Sequence, residues 1–211
     1  GLATTRLSPK AGPVVSDLHL PRAHASGSPR LGAGQADVLL VLDALVAASP
    51  EGIGPSDPKR TVVIGSRSIT PPGITIAHPD VDLPSFDELE SILRPLTAPE
   101  HRWWVDADAL ATRAFGDALT ANVLVIGMGV QSGAIPVDPR CVEEAIELNG
   151  VSVRANTAAF RLGRQIVADP ALEERVLATD HGRAASVVPS GALQARIDLL
   201  GLPSESRAAV S

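Results

Sequence analysis

Residues 138–168 read DPRCVEEAIELNGVSVRANTAAFRLGRQIVA, and this stretch predicts two helices that meet at a sharp turn. Asp138 followed by Pro139 favours the start of a helix, since aspartate is a common N-cap and proline suits the first helical position. Asn149-Gly150 ends that helix, because glycine adopts the left-handed conformation of a C-terminal cap at little cost.

The second helix of this corner is predicted from a capping residue and an apolar repeat. Ser152 is expected to cap it through its side chain. Val153, Phe160 and Val167 recur every seven residues and therefore share one face. The stretch as a whole predicts a helix-turn-helix.

Short apolar segments upstream read as strands. ADVLLVL at 36–42 and TVVIG at 61–65 are continuous apolar runs, as expected of strands covered on both faces. Residues 103–105 predict another strand, 74–77 a further one, and 14–20 one near the start. Helices predicted between them make crossover connections, which favour a largely parallel sheet.

Capping signals place the helices that alternate with these strands. Ser85 with Glu88 three residues later is a capping box and predicts a helix over 85–93. Residues 44–48 predict a short helix, and 50–59 read as a surface loop because they are rich in proline and glycine.

A further helix is expected to be capped by Asp106 or Asp108 and to end at Gly116. One last helix should follow Pro170. The predicted fold class is α/β, a three-layer sandwich with a mostly parallel sheet and a helical C-terminal part. We expect residues 1–180 to form one domain and 181–211 a partly mobile extension.

The segment VLVIGMGVQSG at 123–133 imitates a dinucleotide-binding fingerprint, in which glycines let backbone amides approach a pyrophosphate. Ser132 stands where the third glycine belongs, and Pro136 interrupts the helix that should follow. We therefore predict a buried helix over about 119–132, with Gly127 and Gly129 allowing close packing.

Composition excludes several classes of protein. The net charge of −6 leaves no basic surplus for nucleic acid. No apolar run reaches the length of a membrane span, which makes a cytoplasmic protein the expectation. The single cysteine, Cys141, rules out an internal disulfide or a four-thiolate cluster, and we expect a half-buried, inert thiol. The histidines show no metal-ligand spacing.

Three stretches, in this order, resemble the gamma-type domain of 2-oxoacid:ferredoxin oxidoreductases, particularly of the indolepyruvate branch. They are LSPKAGPVVSDLHL at 7–20, FGDALTANVLVIGMGVQSGAIPV at 115–137 and ELNGVSVRANTAAFRLGR at 147–164. The family's corner signature is filled by Glu147, Leu148, Asn149, Gly150, Asn156, Ala159, Phe160, Gly163 and Arg164. The family opens with a strand and a glycine-rich turn before the point that corresponds to Gly1, so we expect a missing N-terminal segment.

The resemblance implies a role within a larger enzyme. That enzyme would decarboxylate a 2-oxoacid on thiamine diphosphate with Mg²⁺, pass electrons through 4Fe-4S clusters to ferredoxin, and release an acyl-CoA. The gamma-type domain would cover the active site, take part in coenzyme A binding and help to assemble a complex that homodimerises. It would carry no catalytic residue, and its partners would be the thiamine-binding and iron–sulfur domains or subunits.

The resemblance also assigns site residues. Lys10, Gly12, Ser16 and Asn122 are expected at the cofactor-binding surface. A lysine beside small residues can hold an anion by charge, with backbone donors nearby. The alternative for Lys10 is a solvated residue at a strand edge.

Asn156, Arg161 and Arg164 are expected at an assembly interface. Arg154 and Arg161 lie seven residues apart on one face, and the alternative for this face is that it is solvated or pairs with neighbouring acids. Two other functions stay open: a free-standing nucleotide-binding oxidoreductase using the Gly127 region, and a non-catalytic assembly module.

Overall fold

A computed structural model describes the chain over five ranges, residues 2–6, 14–20, 30–69, 83–96 and 102–179. The chain divides into two compact units, Gly1–Val176 and Leu177–Ser211. The fold described below is that of the first unit. The predicted extension over 181–211 and the predicted strand at 74–77 lie outside the described residues.

The described ranges begin with strands, alternate between strands and helices in the middle, and end in a run of helices. The strands are β1 (Leu2–Arg6), β2 (Val15–His19), β3 (Val38–Val41), β4 (Val62–Ser66) and β5 (Arg102–Val105). The helices are α1 (Ala44–Ala47), α2 (Pro50–Ile53), α3 (Phe86–Leu93), α4 (Ala107–Phe115), α5 (Ala121–Gln131), α6 (Pro139–Asn149), α7 (Val153–Ala168) and α8 (Ala171–Ala178), and a 3-10 turn, Arg94–Leu96, follows α3.

The central sheet has the strand order β3-β4-β5, and both of its strand pairs are parallel. In its register Leu40 lies opposite Ile64, and Ile64 opposite Trp103. The predicted parallel sheet is therefore confirmed. A separate antiparallel pair joins β1 and β2. The sequence predicted β2 but not β1, whose residues LATTR have no alternation of apolar and polar side chains.

Helices cover both faces of the parallel sheet. On one face Val41 and Val63 form a buried cluster with Leu89 and Leu93 of α3, and Trp104 packs against it. Residues on a strand alternate between faces, so Leu40 and Ile64 point to the other side, where α4 and α5 lie. This arrangement confirms the predicted three-layer α/β sandwich.

Capping side chains fix the starts of the helices where the sequence placed them. The Ser85 hydroxyl accepts a hydrogen bond from the Glu88 amide, and the Glu88 carboxylate accepts one from the Ser85 amide at 2.7 Å. Asp106, rather than Asp108, caps α4 by accepting from the Ala109 amide at 3.0 Å. Gly116 ends α4 in the left-handed conformation, with φ of 91°.

The expected loop over 50–59 was partly wrong, because its first residues form α2. Ser49 caps this helix by accepting from the Gly52 amide at 3.3 Å, and Pro50 occupies its first position. Proline therefore begins a helical turn here. The prolines of this segment had predicted a loop because proline is also common in loops.

Helices α5 and α7 cross where two glycines face the opposite backbone. A Cβ atom on Gly127 would overlap the carbonyl oxygen of Phe160, and one on Gly163 would overlap that of Leu124. The predicted helix over 119–132 is confirmed, and so is the reason for its glycines. The segment is not the strand and turn of a dinucleotide site. Within the described residues, no helix combines the length and apolarity needed to cross a membrane.

The helix-turn-helix corner is confirmed, with two corrections. Asp138 accepts from the Arg140 amide at 2.8 Å, and Gly150 ends α6 with φ of 72°. The predicted side-chain cap by Ser152 is wrong, because its left-handed backbone, with φ of 44°, leaves the hydroxyl without a bond to a helix amide. Cys141 is exposed rather than half-buried, since it lies on the outer side of α6.

Candidate functional site

Polar side chains collect at the carboxyl ends of the three parallel strands. Asp43 follows β3, Ser66 and Ser68 lie at and after the end of β4, and Asp106 follows β5. Parallel strands bring these ends to one edge, which is where open α/β sheets usually bind ligands. This carboxyl edge of the sheet is therefore the first candidate for a ligand-binding site.

Hydrogen bonds join the residues of the carboxyl edge. Ser66 is buried, and its hydroxyl accepts from the amide of Ala107 at 3.2 Å and donates to the Ser68 hydroxyl at 2.8 Å. The Ser68 hydroxyl donates in turn to Asp106 at 3.2 Å. The chain of bonds holds the loop after β4 against the start of α4.

A carboxylate from the last helix closes the same edge. Oε1 of Glu173 in α8 accepts from the backbone amide of Asp106 at 2.9 Å. It also forms an ion pair with the guanidinium of Arg67. The chain's own carboxylate thus occupies the position beside the first turn of α4, where an anionic ligand would be favoured.

Asp108 has the perturbed titration at this edge. Burial raises its pKa, the interaction with the Ser68 hydroxyl opposes that shift, and the negative charges of Asp106 and Asp43 raise the pKa further. Among the described residues there is no group of three or more His, Cys, Asp or Glu that could hold a metal ion. The described residues of this edge form a structural network in which neither a nucleophile nor a metal site is evident.

Of the four residues expected at the cofactor-binding surface, the structure describes two. Lys10 and Gly12 lie outside the described residues. Ser16 is exposed in β2, and Asn122 is exposed in the first turn of α5. The two belong to separate parts of the fold, the antiparallel pair and the helical layer. Their joint role in binding a cofactor stays a prediction.

The three residues expected at an interface all make hydrogen bonds within the chain. Both nitrogens of the Arg161 fork bind the Glu143 carboxylate, at 2.9 and 2.6 Å. This bond lowers the pKa of Glu143 and raises the pKa of Arg161. Pairing with a neighbouring acid is the alternative that the sequence left open for this face.

Arg164 and Asn156 stabilise the corner in other ways. The Arg164 guanidinium bonds to Oε1 of Gln131 at 3.0 Å and lies 5.9 Å from the centre of the Phe160 ring. The Asn156 side-chain amide donates to the carbonyl of Val151 at 2.9 Å. The assembly role of these residues stays a prediction.

Sequence reasoning treated Asp106 and Asp108 only as possible caps and assigned no role to the other residues of the carboxyl edge. The signal was present, since Ser-Arg-Ser and Asp-Ala-Asp each follow a predicted strand at once. Glu173 could not be found in this way, because it lies 106 residues from Arg67 and 67 from Asp106.

Comparison with known proteins gives one family match. The model of the family described as pyruvate ferredoxin/flavodoxin oxidoreductase matches residues 4–166, from the start of the antiparallel pair into the last turn of α7. No curated protein matches the chain.

Proposed function

The chain belongs to the pyruvate ferredoxin/flavodoxin oxidoreductase family, and we propose that it is the gamma-type component of a thiamine-diphosphate-dependent 2-oxoacid:ferredoxin oxidoreductase. In this proposal the enzyme decarboxylates a 2-oxoacid of the indolepyruvate kind, passes two electrons to ferredoxin and forms an acyl-CoA. The gamma-type component covers the active site, contributes to coenzyme A binding and assembles the complex.

The observation that carries this proposal is the family match over residues 4–166. It spans the sandwich and the helix-turn-helix corner, so it concerns the whole architecture rather than one motif. The corner residues that resemble the indolepyruvate branch also have defined contacts, with Gly163 at the helix crossing and Arg164 over Phe160.

The cofactors that the family implies are assigned to other components. An iron–sulfur cluster with four thiolate ligands does not fit this chain, which has one cysteine. The clusters are therefore proposed to lie on partner domains or subunits, with ferredoxin as the acceptor. Thiamine diphosphate and Mg²⁺ are proposed to lie on such partners as well. Coenzyme A is proposed to meet this chain near Lys10, Gly12, Ser16 and Asn122. The cytoplasmic location and the dimeric complex also stay predictions.

A thermal-shift experiment tests the ligand part of the proposal. Coenzyme A at one hundred times its dissociation constant should add about 2.7 kcal/mol of stability. That raises the melting temperature by roughly 5–10 °C at about 2–4 °C per kcal/mol. The variant Lys10→Ala should melt at the wild-type temperature without ligand and lose most of the shift.

The other ligands in the same experiment separate the alternatives. A shift with NAD or NADP and none with coenzyme A would favour the free-standing nucleotide-binding oxidoreductase. No shift with coenzyme A, thiamine diphosphate, NAD or NADP would favour an assembly module without a ligand.

Reconstitution tests the enzymatic part. The chain is mixed with the thiamine-binding and iron–sulfur components, and coenzyme-A-dependent reduction of ferredoxin is followed with indolepyruvate, pyruvate and 2-oxoglutarate in turn. We expect activity only when this chain is present, and the highest rate with indolepyruvate. Equal rates with and without the chain would contradict the proposal.

A further inference from the structure

Helix α6 carries an apolar stripe that points to solvent. None of its residues is buried, and Cys141, Ala145 and Leu148 are all exposed. They are spaced four and three residues apart, which places them on one face of the helix. The exposed fraction is 89% for Leu148 and 61% for Val151, which follows it in the corner. We call Cys141, Ala145, Leu148 and Val151 the outer stripe.

The contacts that hold α6 on α7 lie on the side of the helix opposite the outer stripe. The half-buried residues Val142 and Ile146 lie on the other side of the helix, which packs on α7. The bidentate pair between Glu143 and Arg161 ties the two helices together. The attachment of α6 is thus complete on its inner side, and a set of apolar side chains on its outer side indicates a binding surface.

The helix is also preformed. Asp138 caps one end by accepting from the Arg140 amide, and Gly150 closes the other end in the left-handed conformation. A partner would therefore meet a folded helix, and little conformational entropy would be lost on binding.

Charge on the outer side of α6 distinguishes between possible occupants. At about 100° per residue, the exposed carboxylates of Glu144 and Glu147 lie along one side of the stripe, with Arg140 as the cation on that side and Asp138 at the beginning of the helix. This side of α6 thus carries three carboxylates and one guanidinium, and the chain as a whole has a net charge of −6. A second copy would bring two acidic faces together, whereas a surface with lysines or arginines would be attracted.

We propose that the outer stripe of α6 docks in an apolar groove with a basic rim on the thiamine-binding component of the same enzyme. Leu148 is the central anchor, and Glu144 and Glu147 meet the cations of the rim. This is recognition of an amphipathic helix by a groove. The inference rests on the proposed function, which supplies the partner.

The test measures assembly of the full chain with the thiamine-binding component by sedimentation velocity over a dilution series. Leu148→Glu should raise the dissociation constant by about 30-fold or more, as loss of a central apolar anchor does. Glu144→Lys combined with Glu147→Lys should raise the dissociation constant roughly tenfold at low salt and flatten its salt dependence.

Ile92→Glu is the matched control. Ile92 is 46% exposed on α3, in the helical layer on the other side of the sheet, so this variant should assemble like the wild type. The isolated variants should all melt within about 2 °C of the wild type, because surface substitutions usually change the free energy of unfolding by less than about 0.5 kcal/mol.

Two results would overturn the inference alone. One is that the wild type assembles with the thiamine-binding component and Leu148→Glu assembles equally well. The other is that the isolated wild type is a dimer and Leu148→Glu is a monomer, which would make a second copy the occupant. If the wild type does not assemble with the thiamine-binding component at all, the proposed function fails and the inference fails with it.

Discussion

Helices α6 and α7 follow each other in the chain but differ in how their side chains attach them to the rest of the fold. Both are amphipathic, and both have the charged outer residues of a surface helix. In α7 the residues Ala159, Phe160, Gly163 and Ile166 are buried, whereas in α6 none is. Helix α7 is part of the core, while α6 rests on α7 through half-buried side chains and one ion pair.

The difference shows that capping and covering are separate properties of a helix. Caps at Asp138 and Gly150 determine where α6 begins and ends. They do not determine which of its faces is covered, because that depends on a surface elsewhere. In α7 the covering surface is α5 of the same chain, and for α6 we infer that it belongs to a partner.

Truncation of a large side chain should separate the two helices most clearly. Phe160→Ala should lower the free energy of unfolding by about 4 kcal/mol, since a buried phenylalanine leaves a cavity. The matched variant Leu148→Ala on α6 should change it by less than about 0.5 kcal/mol. Urea unfolding of both variants measures the difference, and similar losses would show that α6 is held by buried side chains as α7 is.

The crossing of α5 and α7 gives the next largest effect. Gly163→Ala should cost about 3 kcal/mol, because the added methyl group overlaps the carbonyl oxygen of Leu124. Alanine forms helices better than glycine, so the sign of this change comes from packing alone. The control is Ala158→Gly on the exposed side of α7, which should cost about 1 kcal/mol. A stabilised Gly163→Ala protein would show that the helices can move apart freely.

The turn between the two helices should be less sensitive. Gly150 has φ of 72°, and Gly150→Ala should cost about 1 kcal/mol because a Cβ atom is unfavourable in that conformation. Asparagine tolerates the left-handed region better, so Gly150→Asn should cost less. Thermal unfolding compares the two variants, and equal losses would indicate a cause other than backbone strain.

The ion pair between the helices should have the smallest effect, with a defined pH dependence. Arg161 lowers the pKa of Glu143, so the pair stabilises the folded chain above the usual pKa of a glutamate, about 4.5. This contribution is lost as the pH falls through the lowered pKa of the folded state. Glu143→Gln should therefore melt slightly below the wild type at pH 7, with the difference vanishing at low pH and in high salt. A difference that persists at pH 2 would exclude the ion pair as its cause.

Most helices and strands of the fold could be predicted because their signals are local. The capping box at Ser85, the aspartate before α4 and the glycine after α6 act within four residues of their own position. The parallel sheet followed from short apolar runs separated by helices. The loop expected at 50–59 was partly wrong for the same reason, since Ser49 and Pro50 form a local start signal that composition obscured.

The candidate site was less predictable because its contacts are distant in sequence. The pairing of Arg67 with Glu173 and that of Arg161 with Glu143 depend on how helices pack, and no spacing rule contains that information. Arg161 was expected at an interface because arginines recur on one face of its helix. Its partner within the chain, Glu143, could be identified only from the structure. The exposure of Cys141 likewise depends on which side of α6 meets α7.

The carboxylate of Glu173 has a practical consequence for work on shortened proteins. The family match ends at residue 166, and a fragment cut there would look complete by homology. It would lack the acid that neutralises Arg67 and receives the Asp106 amide at the edge of the sheet. Such a fragment would expose a new anion-binding spot, and phosphate or sulfate in the buffer could be mistaken there for a natural ligand.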